Sequence, residues 1–190
     1  MNWKEYLPLA EKTLSTQFHC DDLFYQKILH SVIGCLTEVE EILDNYTNGE
    51  LITENVNKQG SISEEAADVF WYISILFREL NIEEYSLDSN EMEQNPFETL
   101  LLFTKESLKF LDLLKKKIYY NKDIDKQVMV DHSKKMFSLL CHFCELYNTD
   151  IDSILEKNIM KLKARYGDKF SSEKAINRDL ETERQILEKE

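Results

Sequence analysis

Residues 30–46, HSVIGCLTEVEEILDNY, and 64–80, EEAADVFWYISILFREL, decide the reading of this chain. In the first, apolar residues recur in steps of three and four through Val32, Cys35, Leu36, Val39, Ile42 and Leu43, the spacing of one helix face. In the second, the run from Ala66 to Leu80 is apolar nearly all round, which marks a buried helix. Each stretch carries two carboxylates three positions apart: Glu38 with Glu41, and Glu65 with Asp68. On a helix that spacing sets both side chains on one face, about one turn apart. Two such helices packed antiparallel would aim four carboxylates at one spot. Bare carboxylates at close quarters repel and raise each other's pKa, and a hard, oxygen-seeking cation such as Mg²⁺ removes that cost. Asp68 is the most telling of the four. An acid at the head of a buried helix must ligate something or be paired with a lysine or arginine from elsewhere. Glu64 and Glu65 also have a plainer explanation. If Ser61 or Ser63 caps the helix, both lie in its first turn, where the helix dipole favours acids.

The flanking sequence extends the helical pattern. A first helix is expected over 3–18, with Trp3, Tyr6, Leu7, Leu14 and Phe18 apolar. Asp21 and Asp22 then supply N-cap chemistry for a helix over about 22–47. A polar connection over 47–60 leads to the third helix, and residues 81–96, polar and ending on Pro96, form a linker. Further helices follow over about 97–120 and about 128–147. Asp150 caps another over about 150–166, and Ser171 or Ser172 caps a last one over about 172–187. The fold expected is all-α, one domain over 1–190. Its core is a four-helix bundle of two helical hairpins, about 22–80 and about 97–147, with flanking helices. A faint internal repeat relates the hairpins at an offset of about 66 or 67 positions. It sets Lys105 and Leu108 near the places of Glu38 and Glu41, and Lys134 or Lys135 near that of Asp68, so one metal centre per chain is expected.

Composition narrows the function. Four glycines and two prolines in 190 residues suit long helices rather than many tight turns. A net charge of −13 repels nucleic-acid phosphates and argues against duplex binding. It does not exclude a nucleotide, since metal ions bridge acid to phosphate. No apolar run is long enough to cross a bilayer, and the N-terminus lacks the apolar stretch of a signal peptide, so a cytoplasmic protein with no membrane partner is expected. Cys141-His142-Phe143-Cys144 is formally a C-x-x-C, but no second pair completes a zinc site. The apolar helix around it points to core packing.

Glu38-x-x-Glu41, then Glu65-x-x-Asp68, then residues 158–166, NIMKLKARY, form an ordered set of three motifs. In this the chain resembles the all-α nucleoside triphosphate pyrophosphohydrolases, the superfamily of MazG and the dimeric dUTPases, most closely the MazG-type proteins of bacteria and phages. The resemblance covers about 28–85 and 150–185. It departs from the family at Thr37, where many members carry a further acid, and at Glu40, where related phage-type sequences carry Gly. The second lobe is also longer than in a minimal MazG domain. The resemblance implies Mg²⁺-dependent hydrolysis of a nucleoside triphosphate, a dNTP first, between the α- and β-phosphates, with Mn²⁺ as a substitute ion. Glu38, Glu41, Glu65 and Asp68 would hold metal, with Glu41 or Glu38 taking the water's proton. Asn158, Lys161, Arg165 and Tyr166 would meet the substrate, with Lys161 and Arg165 on the triphosphate, and the chain would form a homodimer. Phosphoribosyl-ATP or a modified nucleotide is an alternative substrate, and a nucleotide-binding regulatory module without turnover an alternative role.

Overall fold

The computed structural model describes residues 1–52, 58–83, 95–167 and 171–177, with the backbone alone for 58–61. Among these, seven helices and one small hairpin follow in order. They are α1 (Trp3–Glu11), α2 (Leu23–Leu43), β1 (Tyr46–Thr47), β2 (Glu50–Leu51), α3 (Lys58–Leu80), α4 (Pro96–Tyr120), α5 (Lys126–Leu146), α6 (Ile151–Tyr166) and α7 (Ser172–Ile176). The four long helices make the expected bundle. α2 packs on α3 and α4, and α5 packs on the same two, which closes a ring in the order α2, α3, α5, α4. α3 also carries α6. Three neighbours explain why its sequence is apolar nearly all round. The core is filled from every helix of the ring, by Val32 and Ile42, Ile73 and Leu76, Phe103 and Phe110, Met136 and Phe143. Each such burial is worth roughly 1.5–3 kcal/mol. Cys35, Cys141 and Cys144 lie in this core as free thiols, and burial pushes Cys141 and Cys144 up to about 12. The C-x-x-C is packing, as its apolar helix implies.

Several boundaries differ from the sequence reading, each for a local reason. α1 stops at Glu11, short of Leu14 and Phe18. Thr13 Oγ1 donates to the Ala10 carbonyl at 2.8 Å, and Ser15 Oγ accepts from Gln17 N at 3.3 Å. Side chains that bond the backbone in this way compete with the helix ladder. α2 ends at Leu43, and Tyr46–Leu51 turns back as a hairpin about Asn48 (φ 53) and Gly49 (φ 80). Asn-Gly favours that left-handed turn. Pro96 belongs to α4 rather than to a linker. Asn95 caps that helix, accepting from Phe97 N at 2.9 Å, and a proline in the first turn loses no helix bond. α3 is already helical at Lys58, so Ser61 and Ser63 stand inside it and are not its cap. Asp150 occupies the N-cap of α6 but makes no side-chain cap bond, whereas Ser171 Oγ accepts from Lys174 N at 3.4 Å at the head of α7. Most of the expected linker, 84–94, and the far part of the last expected helix, 178–187, lie outside the described residues.

The burial pattern gives the two hairpins a common register. Ser31, Val32, Cys35, Val39 and Ile42 of α2 are buried, as are Thr99, Leu100, Phe103, Ser107 and Phe110 of α4 at a constant step. Ile62, Ala66, Val69, Ile73 and Leu76 of α3 correspond likewise to Met129, Ser133, Met136, Leu140 and Phe143 of α5. This register moves the correspondence from Lys105 and Leu108 to Glu106 and Lys109 as counterparts of Glu38 and Glu41. His132 and Lys135 become the counterparts of Glu65 and Asp68. Glu106 is buried, with His132 Nδ1 at 2.6 Å and Lys109 Nζ at 3.0 Å.

Candidate metal centre

α2 and α3 bring Glu38, Glu65 and Asp68 together. One carboxylate oxygen of each lies within 4.8 Å of the others, and all three side chains are half-buried. Glu41 is exposed and stands outside this triad, yet its charge reaches both Glu38 and Glu65. Burial, then the charges of Asp68 and Glu41, push the Glu38 carboxyl up to about 7. Burial, then Glu41, Glu64, Asp68 and Glu38, push Glu65 up to about 8. The two carboxyls are hydrogen-bonded. The pair therefore titrates as a unit, above the ordinary carboxylate range.

Glu64 and Glu65 are not dipole partners of the helix start, because α3 has no acid in its first turn. Glu64 sits one turn before Asp68, and both face α6. Lys161 Nζ donates to Asp68 Oδ2 at 2.6 Å and to Glu64 Oε1 at 3.1 Å. Asn158 Nδ2 donates to the other Asp68 oxygen at 2.5 Å. Lys161 is 1 % exposed and Asn158 4 %, so α6 delivers an ammonium and an amide into the protein against Asp68. The basic partner that an acid on a buried helix calls for is therefore Lys161. Its ammonium faces carboxylates here, not solvent. Arg165, one turn further along α6, lies half-buried with its guanidinium over the Tyr166 ring at 5.7 Å.

An aromatic wall adjoins the acids. Tyr72 follows Asp68 by one turn, and burial, then Glu38, Asp68, Cys35 and Tyr166, raise its hydroxyl above the ordinary phenol value. The Tyr72 ring meets Trp71 and His30 edge-on, at 4.8 Å and 5.5 Å between centroids. It lies directly on Gly34, where any Cβ would fall within the ring. Glycine one turn before Glu38 is thus what admits Tyr72 to the site. The sequence reading gave Glu64 a helix-dipole role and passed over Gly34 and His30. Glu64 carried a signal, since it shares the face of Asp68 at i,i+4.

Comparisons of the chain with protein-family models, with curated proteins and with solved structures find no match. The chemistry must be argued from the donors. The triad offers carboxylate oxygen only, a donor set that could hold a hard divalent cation. Carboxyls raised by burial and by neighbouring charge are groups that a divalent cation would release to their charged form. Among the described residues no helix is long and apolar enough to cross a membrane.

Proposed function

We propose that this protein hydrolyses a nucleoside triphosphate, a dNTP first, between the α- and β-phosphates to give a monophosphate and pyrophosphate. The observation that carries the reading is the convergence of Glu38, Glu65 and Asp68 from α2 and α3, in the order and spacing in which the sequence resembles MazG-type pyrophosphohydrolases. Glu38, Glu65 and Asp68 would hold Mg²⁺, with Glu41 at the exposed side and Mn²⁺ able to replace it. Bound there, the ion would screen phosphate charge and lower the pKa of a water. Hydrolysis adds the water's hydroxyl to one phosphorus while the bridging oxygen leaves with the other phosphate. Glu41 is the solvent-facing carboxylate suited to take the remaining proton. Asn158 and Lys161 hold both oxygens of Asp68, which fixes its orientation. Arg165, planar and permanently charged, is the group on α6 suited to bidentate contact with the triphosphate. Tyr166 and the wall of His30, Trp71 and Tyr72 offer faces to a base.

One observation favours a second reading. Lys161 already neutralises Asp68 and Glu64, so the cluster could serve as a buried polar lock in a nucleotide-binding module without turnover. The two separate in a single assay. The protein incubated with Mg²⁺ and a panel of dNTPs, NTPs and phosphoribosyl-ATP should release pyrophosphate from at least one. Asp68→Asn and Glu41→Gln should abolish the release while the circular dichroism stays that of the parent. Normal turnover in either variant would remove the centre from the reaction, and release of orthophosphate would mean that a different bond is cut.

A further inference from the structure

Among the described residues, α1 is a capped helix that no other element buries. Asn2 and Glu5 cap it reciprocally: Asn2 Oδ1 accepts from Glu5 N, and Glu5 Oε2 from Asn2 N, both at 3.1 Å. Trp3, Tyr6, Leu7 and Ala10 fall on one face, yet no residue of α1 is buried, and Trp3 stays 68 % exposed. A nine-residue helix is marginal in water on its own. A second apolar surface stands open among the described residues. Between α2 and α4 runs an open groove of about 440 Å³, walled by Phe18, Ile33, Leu108, Leu111, Ile118 and Tyr119. Ile33 and Leu108 on its rim are 44 % and 52 % exposed. No residue of α1 lines it.

We propose that the groove between α2 and α4 receives α1 of a second copy of this chain, the two chains exchanging their N-terminal helices about a twofold axis. The segment between α1 and α2 supplies the geometry. His19 N donates to the Ile118 carbonyl at 2.7 Å, and Ser15 Oγ to the Tyr119 carbonyl at 3.2 Å. These bonds satisfy carbonyls that the end of α4 leaves unpaired and pin the segment to that end of the bundle. Residues 12–14, about 10 Å of chain, are all that separate α1 from the pin. Within that reach of the chain's own groove, Trp3, Tyr6 and Leu7 nevertheless stay exposed and line no part of it.

Area and charge both suit a second copy. At their observed exposures, the apolar side chains of α1 and of the groove rim present roughly 800 Å² per chain, the size of a standard stable interface. The chain carries −13 overall and would repel itself, or an anionic membrane, over most of its surface. This surface is locally balanced. Lys4 and Lys12 match Glu5 and Glu11 on and beside α1, and Lys115 pairs with Asp112 at the groove at 2.5 Å.

Sedimentation of the full chain tests the exchange without any need for turnover, so its outcome is separate from that of the acidic centre. The parent chain should be dimeric. Trp3→Asp with Leu7→Asp, and separately Leu108→Asp or Ile33→Asp, should each weaken the dimer by at least about thirty-fold with helicity unchanged. An equal mixture of the α1 variant and a groove variant should form a heterodimer through the one intact helix–groove pair. A monomeric parent, a dimer that either class of variant leaves unweakened, or an α1 whose only effect is on binding to vesicles containing phosphatidylserine would each overturn the proposal.

Discussion

Glu38 and Glu65 set the pH behaviour of the first hairpin. Both carboxyls sit above the ordinary carboxylate range, at about 7 and about 8, through burial and neighbouring charge. Over that range the folded protein holds protons that the unfolded chain has released. The stability they contribute is complete below the ordinary carboxylate pKa and is lost as pH rises through about 7 to 8. The urea midpoint of the metal-free protein should therefore fall between about pH 5 and about pH 9, and Glu38→Gln with Glu65→Gln should flatten the fall. A parent midpoint that rises over that range would count against the crowded pair. Lys161 answers to the opposite removal. With the ammonium 1 % exposed and its partners about a quarter exposed, Lys161→Met leaves Asp68 and Glu64 without their cation. A loss of about 2–4 kcal/mol is expected in chemical denaturation. Added Mg²⁺ should recover part of it if the carboxylates bind the ion. Recovery is what separates a metal centre from a polar lock, since a lock gains nothing from the ion.

At the scale of elements, the helix pattern was legible wherever periodicity was long and the cap was a single side chain. Asp22 marks the start of α2 by accepting from Phe24 N at 2.8 Å, whereas Asn95, which caps α4 by accepting from Phe97 N at 2.9 Å, lay inside the expected linker. Ends were less legible because they depend on contacts remote in sequence. α1 gives way to a segment drawn onto the end of α4, and nothing near Leu14 announces a bond from Ser15 to Tyr119. Serines before an acidic word resembled a cap until α3 proved to begin earlier. The repeat register was off by one position between α2 and α4, which passed over Glu106, a carboxylate only 6 % exposed. Burial alone would raise its carboxyl, but hydrogen bonds from Lys109 and His132 outweigh this and hold it below the usual range. Its contribution is thus present above the unfolded pKa and lost as pH falls, the reverse of Glu38. His132→Gln removes the ring that donates to Glu106 and stacks on Phe110 at 5.6 Å. That variant should lose about 1–3 kcal/mol in the same measurement, with pyrophosphate release unchanged. A neutral result would mean that Lys109 satisfies Glu106 alone.

For the molecule as a whole, the sequence carried the fold class and the meeting of α2 with α3. Four carboxylates in two helical pairs, one on an amphipathic segment and one at the head of a segment apolar nearly all round, leave few ways to pack. It did not carry the role of α6. That Asn158 and Lys161 turn inward onto Asp68 depends on where α6 lies against α3, and no local pattern encodes that placement. The bundle then poses a question of symmetry. Its two hairpins bury corresponding positions, but the places of Glu41, Glu65 and Asp68 in the first are taken by Lys109, His132 and Lys135 in the second. Glu106 alone keeps its acid, and a histidine and a lysine already bond it. A divalent ion entering there would have to displace the Lys109 ammonium from Glu106, so Coulomb repulsion disfavours it. All specific metal binding should therefore belong to the first hairpin. Titrated with Mn²⁺ and read by electron paramagnetic resonance, the parent should saturate at a stoichiometry that Glu38→Gln with Asp68→Asn reduces to none, while His132→Gln leaves it unchanged. Half of the parent's binding surviving in the double variant would place a second centre at Glu106 and make the two hairpins equivalent in function as well as in register.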